Sequence, residues 1–183
     1  MSWLVKAAYG IAGLLGAVLV LGYTLPDDLH VERRIVIDAP QDEIFALVAD
    51  FRNWPKWSPW AEMDPAATYV FSGSGLRQTM HWESGHPAVG VGSNEITLYR
   101  PYDEMRFHIE LGKDGRGDGR FILLPGDGGT EVIWSVTANL RDGQPWFGQP
   151  RATFMQYLID LDEAIGGEYE MGLRNLREVA ETP

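Results

Sequence analysis

One amphipathic stretch near the end of the chain constrains the fold more than any other feature. From Pro150 to Val179 the apolar residues Phe154, Leu158, Leu161, Ile165, Tyr169, Leu173 and Leu176 recur at steps of three and four, which puts them on one face of a helix. A helix of about 30 residues is roughly 45 Å long. An apolar stripe of that length needs a broad partner, and the alternating segments before it supply a sheet. Gly166, Gly167 and Gly172 lie inside the stretch, each costing about 1 kcal/mol of helix propensity relative to alanine. Gly172 follows Ile165 by two turns and shares its inward line, whereas Gly167 falls on the opposite side. The missing side chain at Gly172 suits either close helix-on-sheet packing or a notch for a ligand.

The segments ahead of the helix read as strands. Val31 to Ile37 is apolar and β-branched, and after Thr68 the period changes to two, with strands expected at Thr68–Ser72, Gln78–Glu83, Val91–Arg100, Glu104–Leu111, Gly119–Leu124 and Thr130–Leu140. Met105, Phe107, Ile109 and Leu111 alternate with Arg106, His108 and Glu110, and Val132, Trp134 and Val136 repeat the pattern, as in half-buried antiparallel strands. Between the first two strands, Ile44, Phe45, Leu47 and Val48 have helical spacing. Asp38 is placed to cap that helix, Pro40 falls in its first turn, and Asp42 and Glu43 suit its dipole. A second helical turn is expected from Asp50 to Trp54. It leads into Trp54, Pro55, Lys56, Trp57, Ser58, Pro59 and Trp60, a stiff aromatic loop.

The beginning of the chain is different. Ala7 to Leu25 is 19 residues without a charge, enough to span a bilayer core as a helix. Lys6 precedes this stretch, and Asp27 and Asp28 follow it. The expectation is a transmembrane anchor over residues 1–27 with a cytoplasmic N-terminus, and a periplasmic or otherwise extracytoplasmic domain over 28–183. The net charge of −11 falls almost wholly beyond residue 26, where 14 basic residues face 26 acidic ones. Nucleic acid is a poor partner for such a surface. The chain has no cysteine, which removes disulfides and thiol chemistry.

The order strand, two short helices, six more antiparallel strands and a long C-terminal helix resembles the START-like, helix-grip fold. In that α+β fold a curved seven-stranded antiparallel sheet wraps the closing helix around a cavity. The text Val31-Glu32-Arg33 through Ile37-Asp38-Ala39-Pro40, Ile44-Phe45, Phe51-Arg52-Asn53-Trp54 and Trp57-Ser58-Pro59-Trp60 looks like the opening of the polyketide cyclase/dehydrase and lipid-transport group of the SRPBCC superfamily. Trp82, Gly90, Gly92, Trp134 and Tyr169-Glu170-Met171-Gly172-Leu173-Arg174-Asn175-Leu176 extend the likeness, including to members with one N-terminal membrane helix. The resemblance implies a cavity for an apolar ligand and leaves the activity open.

Motifs that carry chemistry are sparse. His81, Glu83 and His86 invite a metal reading, but the two histidines are five apart on a strand and its loop and would point to opposite faces. Asp114 and Asp118 lack the spacing of a calcium loop. Gly90 and Gly92 are followed by a strand and so form no dinucleotide fingerprint. His81, Glu95 and His108 are the candidates for acid/base chemistry, yet each alternates with apolar neighbours and is expected on the convex, solvent face. No catalytic residue, metal ligand or cofactor is assigned.

What remains is an apolar wall expected to line the cavity: Trp54, Trp57, Trp60, Phe71, Met80, Trp82, Phe107, Phe121, Trp134, Phe154, Met155 and Leu158. The function expected is membrane-anchored binding of a lipid or other apolar small molecule. The alternatives are a cyclase- or dehydratase-like enzyme, or an envelope interaction module whose interior is filled by its own tryptophans. The sequence leaves the oligomeric state open.

Overall fold

The protein is described by a computed structural model covering residues 3–24, 28–112, 115–139 and 161–182. A helix α1 (Trp3–Thr24) comes first, followed by β1 (Asp28–Ile37), α2 (Gln41–Val48), a 3₁₀ turn (Phe51–Lys56) and α3 (Pro59–Met63). Six strands come next: β2 (Thr68–Ser72), β3 (Thr79–Glu83), β4 (Val91–Arg100), β5 (Glu104–Glu110), β6 (Arg116–Gly126) and β7 (Gly129–Asn139). Helix α4 (Leu161–Glu181) closes the described chain. The seven strands form one antiparallel sheet in the order β1-β7-β6-β5-β4-β3-β2. Seven strands beneath a C-terminal helix is the helix-grip arrangement expected from the sequence.

Alternation fixes which face each strand buries. Met105 and Phe107 on β5, Phe121 and Leu123 on β6, and Val132 and Trp134 on β7 are all buried on the concave face, with the intervening polar residues on the convex side. β6 and β7 are joined by the two-residue turn Asp127-Gly128, with Gly126 paired to Gly129, the tightest hairpin connection available. A register shift between Ile96 and Leu98 on β4 bends the sheet, because a bulge adds local twist.

The chain between β1 and β2 plugs one end of the concave face. α2 buries Ile44, Phe45 and Val48, and Asp42 and Glu43 sit in its first turn. The expected Asp38 cap is not formed. Pro40 occupies the cap position without a side-chain hydrogen bond, while the Asp38 backbone N–H donates to Glu181 Oε1 at 2.9 Å. Proline fits there because the first helical N–H groups need no intrahelical partner and φ is already set. Asp50 caps the 3₁₀ turn by accepting from Arg52 N at 3.0 Å. Gln78, wholly buried ahead of β3, ties this turn to the sheet: its Oε1 accepts from Phe51 N at 2.9 Å and its Nε2 donates to Asp50 Oδ1 at 2.7 Å. Burial works against the charged Asp50 carboxyl, but the donors Arg52 N and Gln78 outweigh it and hold its pKa below the usual value.

The N-terminal expectation is corrected. Residues 3–24 form a helix, but among the described residues no helix is long and apolar enough to cross a membrane. Lys6, Tyr9, Tyr23 and Thr24 and the glycines Gly10, Gly13 and Gly16 interrupt the apolar side chains of this helix. That finding overturns the single-pass placement, with a cytoplasmic N-terminus and an extracytoplasmic domain, and leaves the membrane anchor without support.

Candidate functional site

α4 lies over the β1 side of the concave face, with Tyr169, Leu173 and Leu176 buried. Tyr169 stacks on Trp134 with ring centroids 4.0 Å apart and meets Trp60 edge-on at 6.1 Å. The two inward glycines of α4 have separate causes. A Cβ at Gly172 would fall 2.7 Å from the Trp134 ring and 3.1 Å from Pro59 Cδ, whereas one at Gly167 would meet nothing within 4 Å. Gly172 thus marks the close approach of helix to sheet, in the register that the apolar spacing implied.

Gly166 makes room for a cation. A Cβ there would collide with the guanidinium of Arg33, which occupies a concave-face position of β1 opposite Trp134. Arg33 Nε donates to Glu170 Oε1 at 3.0 Å, and its terminal nitrogens donate to the Asp162 carboxylate at 3.2 Å and to its carbonyl at 3.1 Å. These bonds, Asp162 foremost, raise the Arg33 pKa.

The concave face has a closed half and a half-open half. At the centre Trp54, Trp57, Phe107, Phe121 and Trp134 are at most 4 % exposed. They pack mainly edge-to-face, Trp54 on Phe107 at 5.1 Å and Trp57 on Trp134 at 5.5 Å, an arrangement that suits aromatic quadrupoles. The Trp54 and Trp57 indoles donate to the carbonyls of Val48 and Leu47, which fixes them as packing groups. Toward β2, Tyr69, Phe71, Trp82 and Ile109 are only half-buried. Tyr69 and Phe71 lie with parallel rings 6.2 Å apart. Trp82 donates to Val89 O at 3.2 Å and lies flat on the strand, since a Cβ at Gly92 would fall 2.3 Å from its ring. Gly119 plays the same part beneath Phe107. Glycines opposite aromatics let the rings lie against the sheet.

Of the twelve residues expected to line a cavity, Trp54, Trp57, Phe107, Phe121 and Trp134 are therefore in the closed centre, and Met80 is buried beside it. Trp60, Phe71 and Trp82 are half-buried. Phe154, Met155 and Leu158 lie outside the described residues. Sequence reasoning missed Tyr69, Ile109 and Asn94, which share the half-open half of the face. Ile109 and Tyr69 belong to the same alternations as Phe107 and Phe71, so period two alone would have found them. Asn94 is 5 % exposed, and its Oδ1 has no hydrogen-bond partner among the described residues.

The titratable candidates lie on the other face. His81 is exposed; Glu95 pairs with Arg77; His108 Nδ1 is 3.1 Å from Asp118 Oδ1. On the same convex side Glu104, with a side chain 4 % exposed, accepts from Arg100, Arg106 and Arg120 at 3.0, 2.7 and 2.6 Å. Burial opposes its charge, but these hydrogen bonds and the arginine charges overcome it and lower its pKa. In the β3–β4 loop Ser84 Oγ donates to Asp64 at 2.5 Å, while His86 offers Ser84 its backbone N–H and turns its ring to Ala88 N. Serine, histidine and aspartate are thus neighbours without the hydroxyl-to-imidazole bond of a nucleophilic triad. Among the described residues no three His, Cys, Asp or Glu side chains converge as metal ligands. Two surface grooves flank α4, one of about 440 Å³ lined by Glu32, Arg33, Arg34 and Glu170, the other of about 620 Å³ between Pro55–Glu62 and Asn175–Thr182. Their walls are largely charged or polar.

Comparison with known proteins agrees with this architecture. The model of the family described as polyketide cyclase / dehydrase and lipid transport matches residues 28–181. The chain belongs to that family. Solved structures share its fold at low identity. Protein SA2116 of Staphylococcus aureus, of unknown function, is 9 % identical with a TM-score of 0.64 over 84 % of this chain and 94 % of its own. The di-domain ARO/CYC StfQ of the steffimycin biosynthetic pathway is 14 % identical with a TM-score of 0.59, over 84 % of this chain and 51 % of that one. Protein CV1439 of Chromobacterium violaceum is 15 % identical with a TM-score of 0.57, over 86 % of this chain and all of its own. No relative matches among curated proteins. At these identities the likeness establishes the fold, and the family spans both cyclisation and transport.

Proposed function

We propose that this family member binds an apolar small molecule on the half-open side of the concave face, against Trp60, Tyr69, Phe71, Trp82 and Ile109. The observation that carries the proposal is the contrast between the two halves of one face. The centre is closed by edge-to-face packing, while the β2–β5 side keeps large apolar groups half-exposed beside one buried amide. A concave apolar wall with few polar groups holds a ligand by burial, each square ångström removed from water contributing about 25 cal/mol.

An enzyme of the cyclase or dehydratase kind is the second reading, favoured by the family and by the ARO/CYC neighbour. It requires an acid/base pair facing the ligand. Among the described residues the concave side offers Arg33, held by Asp162 and Glu170, and the phenols of Tyr69 and Tyr169, and the covering helix α4 carries Glu168, whose Oε2 is buried without a hydrogen-bond partner. Burial raises both tyrosine pKa values, Tyr69 being raised further by Asp64, so these groups are poor bases. His81, Glu95 and His108 face away, which favours a binder.

Fluorescence titration with N-phenyl-1-naphthylamine tests this reading. Saturable one-to-one binding with quenching of tryptophan emission is expected. A linear, non-saturating response would overturn it. Loss of binding in His81→Gln or Glu95→Gln with unchanged melting would move the site to the convex face.

A further inference from the structure

Three buried side-chain polar atoms lack a hydrogen-bond partner among the described residues, Trp134 Nε1 in the closed centre, Glu168 Oε2 on α4 and Asn94 Oδ1, and of these Asn94 stands beside the half-open side. It stands on β4 between Ser93 and Glu95, which pair with the convex-side residues His81, Glu110 and His108. Asn94 itself pairs with Met80 on β3 and Ile109 on β5, both in the apolar core or packed against it. Alternation therefore directs its side chain to the concave face. The residue is 5 % exposed, and among the described residues its Oδ1 accepts no hydrogen bond. A buried carbonyl oxygen without a donor is costly and uncommon in folded proteins. An aliphatic side chain would fill the position without that cost, so the amide points to a partner that the protein does not itself supply.

The register shows what lies beside it. The cross-strand row through Asn94 runs on to Ile109, Gly117 and Ala138, so two of its four positions carry little or no side chain. One row nearer the centre, Gly119 is covered by the Phe107 ring; at Gly117 the nearest neighbours of a Cβ would be Thr137 O, Ala138 Cβ and Val136 Cγ2, all from the adjacent strand. The row beside the unpaired oxygen thus carries only small groups on β6 and β7, with Gly117 closed over by the adjacent strand, and the half-buried Phe71 and Trp82 stand on its other side on β2 and β3.

We infer that Asn94 Oδ1 accepts a hydrogen bond from the ligand, and that the site takes flat apolar molecules bearing one hydroxyl or N–H donor, a phenol-like class, in preference to plain hydrocarbons. This rests on the binding reading proposed above and adds to it the polar feature of the ligand. Apolar burial supplies the affinity, and the amide sets the orientation and the choice among ligands of equal shape. A ligand that covers Asn94 without offering a donor leaves the oxygen desolvated and unpaired, which disfavours it.

Three naphthalenes of matched shape serve as probes: 2-naphthol with a donor, 2-methoxynaphthalene with an acceptor only, and naphthalene with neither. Wild-type protein is expected to bind 2-naphthol about tenfold more tightly than 2-methoxynaphthalene, a ratio in the range of one hydrogen bond to an otherwise orphaned group. Asn94→Leu, similar in size, is expected to bring that ratio near one, weakening 2-naphthol and tightening the two donor-less probes, which no longer leave an amide oxygen unpaired. Equal affinities for the two substituted probes in wild type, or a preference that survives in Asn94→Leu, would overturn the inference while naphthalene binding upheld the site. Failure of all three probes to bind would overturn the binding reading and this inference together. The wild-type comparison stands even if Asn94→Leu does not fold.

Discussion

At the scale of single residues, the two exposures of glycine on α4 make opposite predictions. Gly167 faces open space, so Gly167→Ala gains helix propensity and is expected to stabilise the protein by up to about 1 kcal/mol. Gly172→Ala puts a methyl group 2.7 Å from the Trp134 ring, and overpacking is expected to cost about 1–3 kcal/mol. Thermal melts of the pair check this, and shifts of the same sign would contradict the register of the helix. Glu104 gives a pH dependence of defined direction. Its pKa is lowered on folding from an ordinary value of 4.5, so the stability it contributes is complete above that value and is lost as the pH falls through the lower folded value. Glu104→Gln is expected to be less stable than wild type at pH 7, by about 1–3 kcal/mol, and the gap is expected to close in acid. Urea titrations at pH 7 and pH 3 measure it, and a gap that widened in acid would reverse the sign.

Among the elements, strands and helices were legible because each carries one period. The alternation Met105, Phe107, Ile109 located β5, and the three-and-four spacing from Ile165 to Leu176 located the described part of the last helix and its inward face. The ends of elements were less legible. Asp38 and Pro40 both suit a helix start, and tertiary contact decided between them, since the Asp38 N–H is taken by Glu181. Arg33 could not be read at all. A charge on an alternating strand is expected outside, and its inward position depends on Asp162 and Glu170, well over a hundred residues away; the paired glycines Gly166-Gly167 were the only local trace. The uncharged N-terminal stretch was legible as a helix, α1, but among the described residues no helix is long and apolar enough to cross a membrane. Gln78 is the element-scale counterpart of Arg33, a buried polar side chain joining the 3₁₀ turn to β3. Gln78→Ala leaves Phe51 N without its acceptor and is expected to lower stability by about 2–4 kcal/mol, from the orphaned donor together with the lost side-chain packing. Denaturant unfolding checks this, and a change under about 0.5 kcal/mol, the range of an ordinary surface substitution, would show that the turn is held by other contacts.

For the molecule as a whole, the sheet sorts its chemistry by face. Ionisable groups pair with one another on the convex side, and the concave side is largely apolar, its described polar groups including the Arg33 clamp, Gln78, the two tyrosines and Asn94. The site was legible in the sequence as a set of aromatics, but not as a division between packing and lining. Trp54 and Trp82 look alike in sequence; one is sealed by Phe51, Trp57 and Phe107, while the other lies half-open on Gly92. Only the order of strands in the sheet separates them. Trp82→Phe keeps most of the wall and is expected to weaken probe affinity several-fold with less than about 1.5 kcal/mol lost in stability. Trp134→Ala empties the sealed centre and is expected to cost about 3–5 kcal/mol. The most direct test of the central claim is an NMR titration with N-phenyl-1-naphthylamine, following the Trp82 indole N–H and the methyl groups of Met80 and Ile109 against those of the exposed Val36 and Val70. Saturating shifts at Trp82, Met80 and Ile109 with Val36 and Val70 unmoved are expected. Shifts confined to the convex valines, or to the groove beside Val179, would contradict a ligand site on the concave face.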